Sequence, residues 1–361
     1  MATFEKRGDY QWRAKVRRLG QRTLSKTFDT KVDAEHWARE VERKIKRGET
    51  DDLDPAKQTI TVADAAADYR AHVLPTLARS GKGNGDVHLR RIEAEFGPLY
   101  VAALRSPGIT NWARKLGTKF ELGSQSIIHH LNTFSSLIQH AQKNLGVHIP
   151  AGNPVALVSR PAPAASRDRV LIDGESELLM RAARHEGDGR TTATWAMLEP
   201  MIRLALATSM RQGELISLKR SWINLKTNVI NLPADATKNG DARSVALSKE
   251  AVSVIKGTPL HISGRVFGCW KDCSSFRKTW QRLLKRADRI YADECKTDGL
   301  NKDTRILAGL RFHDLRHHAT TELFEKGLNA FEVASMTGHK SMQMLKRYTH
   351  VDAARLSQKL G

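Results

Sequence analysis

Residues 311–318 read RFHDLRHH, which sets two arginines, three histidines and one carboxylate in eight positions. Such a cluster can hold a metal ion, grip a phosphate or simply face water. Helical spacing puts His313 and Arg316 one turn apart on one face. His313 and His317, four apart, would also share a face, as two zinc ligands do. A zinc site would need a third ligand, and it would aim the Arg316 cation at another cation. Two positive groups framing His313 suit a phosphate better, because a guanidinium offers parallel N–H donors to two phosphate oxygens.

Three further stretches carry groups of the same kind. LATSMRQGELISLKRSWIN (206–224) has Arg211 at the start of a turn and Glu214 three residues on. KNGDAR places Lys238 just before a hairpin tip, and MTGHKSMQMLKRYTHV supplies His339 directly after Gly338, then Tyr348 nine residues later. Taken singly, each has a plainer reading: a helix-surface ion pair, a basic turn, a core tyrosine. Cys269 and Cys273 are separated by three residues with no second pair, and Cys295 stands alone. That is a poor zinc set, so free thiols are expected.

The chain around these groups is long enough for two or three domains at 361 residues, and 40% hydrophobic content allows real cores. Its balance of 59 Lys+Arg against 39 Asp+Glu gives a formal charge of +20. That excess favours a polyanionic partner, since each cation placed on a phosphate releases condensed counterions. No stretch approaches the length of a membrane span, and MATFEKRGDY offers no apolar signal core. Three cysteines are too few for a disulfide scaffold, so a reducing cytoplasm is expected.

The elements that must position the site read as mainly helical with small sheets, an α+β chain. DYQWRAKVRR (9–18) alternates, with Tyr10, Trp12, Ala14 and Val16 on one face and Arg13, Lys15 and Arg17 on the other. A second strand from Arg22 to Phe28 follows a turn at Leu19–Gln21, and then a helix with apolar Val32, Trp37, Val41 and Ile45. This small sheet backed by a helix could set its cationic face in a DNA groove. Residues 49–59 read as an acidic linker, and 60–145 as helices throughout. His129 and His130, inside one of these, are expected on the solvent side. The stretch 150–168, with four prolines, is the clearest linker. Helices resume after it and are interrupted by a β-rich patch at 222–248. Its strands should turn at Lys226–Asn228 and at Asn239–Gly240.

In order, Arg…Lys…His-x-x-Arg…His…Tyr resembles the tyrosine recombinase (phage integrase) family. The likeness is strongest in 206–224 and 308–350, moderate at 236–247, and architectural before residue 150. It implies an N-terminal arm-type DNA-binding module at 1–50, a helical core-binding (SAM-like) domain at 60–150 and a catalytic domain at 168–361. It also implies roles. Arg211 and Arg316 would neutralise charge on the non-bridging oxygens, each such donor being worth ~3–4 kcal/mol of barrier. Tyr348 would be the nucleophile that forms a 3′-phosphotyrosine and so conserves the bond energy. Lys238 would protonate the 5′ leaving oxygen, His313 would help move the tyrosine proton, and His339 would hydrogen-bond the scissile phosphate. Glu214 would brace Arg211, while Arg13, Lys15 and Arg17 would contact DNA. His317, His318 and His350 are assigned to packing or solvent.

The expected activity is site-specific recombination that integrates or excises a mobile element, with no metal and no cofactor. The expected partners are double-stranded attachment sites, three further copies of the chain in a tetramer on DNA, and a DNA-bending accessory protein or excisionase. The few residues after Tyr348 would make a small contact with a neighbouring copy. No membrane is involved, and the expected location is the bacterial nucleoid. A type IB topoisomerase uses the same chemistry but needs no second DNA-binding module. A non-catalytic DNA-binding protein of this fold would not need all six catalytic-type residues, and a metal nuclease built on 313–318 would be sensitive to chelators.

Overall fold

The computed structural model describes residues 2–8, 10–17, 23–47, 58–77, 79–165, 167–184, 193–237 and 240–348. The chain divides into two compact units, Met1–Ala165 and Ser166–Gly361, and the division falls inside the proline-rich 150–168 stretch.

The first unit opens with an antiparallel sheet of β1 (Ala2–Arg7), β2 (Gln11–Val16) and β3 (Leu24–Phe28), in that order. It is backed by α1 (Lys31–Arg47). Ala14 and Val16 alternate onto the face covered by Ala34, Ala38 and Val41, whose spacing is one helix stripe. β1 was not legible, because only Ala2 and Phe4 in it reach this core. Tyr10 does not join the apolar face; it lies in the turn before β2 and is 83% exposed. The turn read at Leu19–Gln21 and the linker at 49–57 lie outside the described residues.

Four helices follow: α2 (Val62–His72), α3 (Arg79–Phe96), α4 (Ser106–Thr118) and α5 (Ser124–Asn144). Thr61 caps α2 in a reciprocal box with Asp64, which satisfies donors a helix start leaves open. Leu89, Ile92, Trp112, Leu131 and Phe134 fill a core separate from that of the sheet. His129 is exposed as read, but His130 is buried. Positions 127, 130, 131 and 134 form one helical stripe, so the pattern that buries Ile127 also buries His130. Its Nδ1 lies 2.7 Å from the Ser126 carbonyl, and its Nε2 accepts from Arg91 at 3.0 Å.

The second unit runs α6 (Glu175–Ala183), α7 (Leu198–Thr208), α8 (Gln212–Ser217), β4 (Ile223–Asn224), β5 (Val229–Leu232) and β6 (Arg243–Ala246). It continues through α9 (Lys249–Gly257), α10 (Cys273–Thr297), α11 (Phe312–Glu325), α12 (Ala330–Thr337) and α13 (Met342–Leu345). β4, β5 and β6 pair antiparallel in sequence order. β4 turns into β5 through Asn228 at φ 53°, where the turn was read. The second turn is not tight: Leu232 pairs with Arg243, so residues 233–242 all lie in the connection. Pro233, which cannot donate to a ladder, ends β5 early. In α11, Phe312 and Leu315 point into the core against Phe276 and Trp280, and this fixes the face on which the rest of RFHDLRHH stands.

Candidate active site

α7 ends at Ser209 in a left-handed conformation, φ 53°, and the chain reverses into Arg211, the N-cap of α8. The Arg211 backbone N–H donates to Glu214 Oε2 at 2.8 Å and its Nη1 to Oε1 at 3.1 Å. The same carboxylate receives Arg243 from β6 in a bidentate pair at 2.8 and 2.7 Å. Burial alone would push the Glu214 carboxyl up, but Arg243 first and Arg211 second hold it below the usual range.

Arg316 is buried at 4% exposure. Its Nη1 donates to the Ser209 carbonyl at 2.6 Å and its Nη2 to the Thr337 carbonyl at 2.7 Å. Nη2 also lies 3.3 Å from His339 Nε2. Burial and the neighbouring Arg211 push its pKa down to about 9, against the opposing pull of the Glu214 carboxylate.

His339 follows Gly338, the left-handed C-cap of α12 at φ 70°. Thr337 Oγ1 donates to the Val333 carbonyl, so His339 Nδ1–H is the donor in its 2.6 Å bond to that hydroxyl. Nε2 is then the acceptor facing Arg316. Burial, with Arg316 and Arg211 nearby, holds the imidazole down to about 3. Arg211 Nη2 reaches the Gly338 carbonyl at 3.1 Å. Both arginines therefore hold the three residues Thr337–His339. Beside them lies a pocket of about 370 Å³ lined by Arg211, Thr237, Asp241, Arg243, Gly338 and His339, among others.

Lys238 lies outside the described residues; Thr237 before it and Asp241 after it both line that pocket. Tyr348 closes the helical turn Lys346–Tyr348 and is buried, its ring 6.1 Å from that of His339. Burial raises its phenol pKa. His313 is exposed, but the protein packed round its ring, with His317 and Arg316 next, still holds it down to about 4.

His317 packs, as expected, but it also makes a polar contact that the sequence did not suggest. Its Nδ1 hydrogen-bonds the Tyr348 hydroxyl, and the residue is buried. The signal available was its i+4 relation to His313. His318 lies at the surface, 3.4 Å from Glu322, and His350 is outside the described residues. Two more contributors carried no motif. Arg243 is one, and Arg167 is the other: it grips the buried Asp314 with Nε and Nη2 at 2.8 and 2.6 Å. Asp314 in turn accepts from the Arg311 backbone at 2.7 Å, which fixes the first turn of α11. The three cysteines are free thiols, and among the described residues no three His, Cys, Asp or Glu side chains stand together as a metal set.

In the first unit, Arg13 and Lys15 lie on the sheet face opposite α1, where Arg13 donates to Ser25 and Lys15 pairs with Glu5 at 2.7 Å. Arg17 follows β2 and is exposed.

The guanidiniums of Arg211 and Arg316, the imidazoles of His317 and His339 and the Tyr348 phenol thus gather on a helical unit with a small sheet. The model of the phage integrase family matches residues 170–355. Over 209 residues the chain is 37% identical to the shufflon-specific DNA recombinase of Escherichia coli; the match covers 58% of this chain and 47% of that one. The chain thus spans about half the length of that relative. Among solved structures, the Tn1549 transposon integrase in complex with transposon right end DNA superimposes with a TM-score of 0.61 at 15% identity. That match covers 83% of this chain and 99% of the other. A lambda integrase tetramer bound to a Holliday junction matches at 0.58 and 16%, over 97% of each. The chain belongs to the phage integrase family.

Proposed function

We propose that this recombinase breaks and rejoins duplex DNA through a 3′-phosphotyrosine on Tyr348, integrating or excising a mobile element. One observation carries the reading: Arg211 and Arg316 converge on Thr337–His339, beside a pocket of about 370 Å³ with room for a phosphodiester, and the Tyr348 ring lies 6.1 Å from that of His339. A phosphodiester there receives both guanidiniums, which spread the charge that builds on its non-bridging oxygens. It also sets a negative charge beside the buried Arg316. The same negative charge raises His339 from its low value, so that Nε2 can carry a proton and donate it to the phosphate. Glu214 keeps Arg211 aligned, and Lys238 protonates the 5′ oxygen as it leaves. A 5′-hydroxyl from a partner duplex then attacks the phosphotyrosine, and strands exchange without net hydrolysis.

DNA is held by more than the pocket. Lys278, Arg282, Lys285 and Arg289 are exposed along α10 opposite its buried Phe276, Trp280 and Leu283. That stripe suits a phosphate backbone, as do the helical 60–150 region, read as a core-site clamp, and the 1–50 module, with Arg13, Lys15 and Arg17 as arm contacts. Two duplexes with two cuts each require four protomers, assembled on DNA in the bacterial cytoplasm, with an accessory bending protein where the site geometry demands it. The test is covalent trapping on a nicked duplex from the DNA flanking the gene, in excess EDTA, with Tyr348→Phe as control. An SDS-resistant adduct in the native chain alone supports the reading; cutting that depends on added metal and ignores Tyr348 overturns it.

A further inference from the structure

The motif supplies His313 to move the tyrosine proton, but the Tyr348 hydroxyl is bonded elsewhere. It meets Nδ1 of His317, one turn further along α11. The two rings lie 28° from parallel with centroids 5.6 Å apart, and both residues are buried, at 8% and 6% exposure. His313 touches only the edge of this pair, its ring perpendicular to that of His317 at 5.0 Å. A proton acceptor must stand within hydrogen-bond reach of the proton it takes, and His317 does.

We propose that His317 is a further catalytic residue, the general base that takes the phenolic proton as Tyr348 attacks the scissile phosphate. The proposal rests on the strand-transfer reading above. In the step, the Tyr348 O–H bond breaks and an N–H bond forms on His317 Nδ1. The phenolic oxygen bonds to phosphorus, the bond from phosphorus to the 5′ oxygen breaks, and its electron pair leaves on that oxygen, which Lys238 protonates. In the return step neutral Lys238 takes the proton of the attacking 5′-hydroxyl, its oxygen bonds to phosphorus, the bond from phosphorus to the phenolic oxygen breaks, and the imidazolium gives its proton back to that oxygen.

The surroundings of His317 fit a base that is neutral at rest and briefly charged in the transition state. Desolvation lowers its pKa and keeps the ring neutral, and in the tautomer protonated at Nε2 the Nδ1 lone pair accepts from the hydroxyl. Asp314, one turn earlier on the same helix, opposes that lowering and stabilises the imidazolium once it forms. The other groups facing it are cationic or neutral: Arg316 and His313 on α11, Arg347 beside the tyrosine, His339 after α12, and Arg167 from the segment before α6. They favour return of the proton, which a reversible transfer requires.

The experiment is single-turnover adduct formation on the nicked duplex across the acid to neutral range. It compares the native chain, Tyr348→Phe, His317→Asn and His313→Ala, on substrates whose 5′ bridging atom is oxygen or sulfur. Asparagine keeps an acceptor near the Nδ1 position but cannot take a proton. His317→Asn is expected to slow cleavage by about 10²-fold or more on both substrates and to lose the acid limb of the rate profile, with DNA binding retained. Sulfur leaves without a proton, so restoration of His317→Asn by sulfur would place His317 at the leaving group and overturn the proposal. A near-native rate for His317→Asn alongside a slow His313→Ala would also overturn it. Absence of any adduct from the native chain would instead bring down the strand-transfer reading. Should His317→Asn not fold, a fluorotyrosine at position 348 serves in the otherwise native chain. The acid limb is expected to stay in place, whereas a limb that moves down with the phenol would mean attack by a pre-ionised tyrosine and no base.

Discussion

Arg243 Cδ lies 3.1 Å from where a Cβ on Gly338 would stand, with its guanidinium carbon at 3.3 Å. The glycine is therefore required twice, once for its φ of 70° and once for the approach of Arg243, whose Nε donates to the Met336 carbonyl at 3.0 Å. Gly338→Ala forces a left-handed alanine, at a cost of about 1–2 kcal/mol, and displaces Arg243 from α12. The expected outcome is a melting temperature several degrees lower and at least tenfold less phosphotyrosine adduct, with DNA affinity unchanged in a gel-shift titration.

Glu214, at 2% exposure, sits between the guanidiniums of Arg211 and Arg243. Glu214→Gln leaves two partly buried cations without their counter-charge, at an expected cost of about 2–3 kcal/mol, less than for a fully buried pair. The carboxyl is held below its ordinary 4.5 in the folded chain, so its contribution is fully present above that value and is lost as pH falls through the folded pKa. Chemical denaturation at neutral pH should show the full gap between the native chain and the variant. Toward pH 3 the gap should narrow; a gap that stayed constant would show that the charge is not what matters.

The site was legible where the chemistry names its own residues. Arg211, His339 and Tyr348 announce themselves by type and spacing, and the cap positions of Arg211 and Gly338 follow from turn chemistry. What the sequence hid is the set that holds them. Arg243 sits in an ordinary strand, and its use depends on α12 packing against β6, a contact between residues 93 apart in the chain. Arg167 lies 147 residues from Asp314, and no local pattern could pair them. For His317 the family resemblance suggests only packing or solvent, and only the placement of Tyr348 against α11 shows which imidazole meets the hydroxyl. At the level of elements, α5 read clearly from its stripe but β1 did not, because a strand with two inward apolar residues scarcely alternates.

Arg316 is buried among carbonyl oxygens with Arg211 close by, so two guanidiniums stand where a phosphate would be held. Inorganic phosphate or vanadate should therefore raise the melting temperature in a concentration-dependent way, by the equivalent of about 2.7 kcal/mol at a hundred times the dissociation constant. Arg211→Ala should abolish the response while the chain stays folded. An equal shift in that variant would mean that the anion binds elsewhere, for instance along α10.

Asp314 is fully buried and depends on Arg167, whose side chain is 34% exposed, for its only guanidinium partner among the described ion pairs. Burial pushes the Asp314 carboxyl up, and the Arg167 pair with the Arg311 backbone bond pulls it below its ordinary value. Arg167→Ala should leave that carboxylate with the helix-start N–H alone and loosen the first turn of α11. Because Arg167 is partly solvated, the expected cost is about 1–3 kcal/mol rather than the full penalty of a buried pair. Hydrogen exchange resolved by residue is the measurement. Faster exchange confined to the start of α11, with slower adduct formation, is the expected result, because His313, Arg316 and His317 all ride on that turn and the next. Double substitution with Asp314→Asn should recover much of the stability, since a neutral amide no longer needs the guanidinium, and failure to recover would put the role of Arg167 in its bond to the Gly309 carbonyl instead.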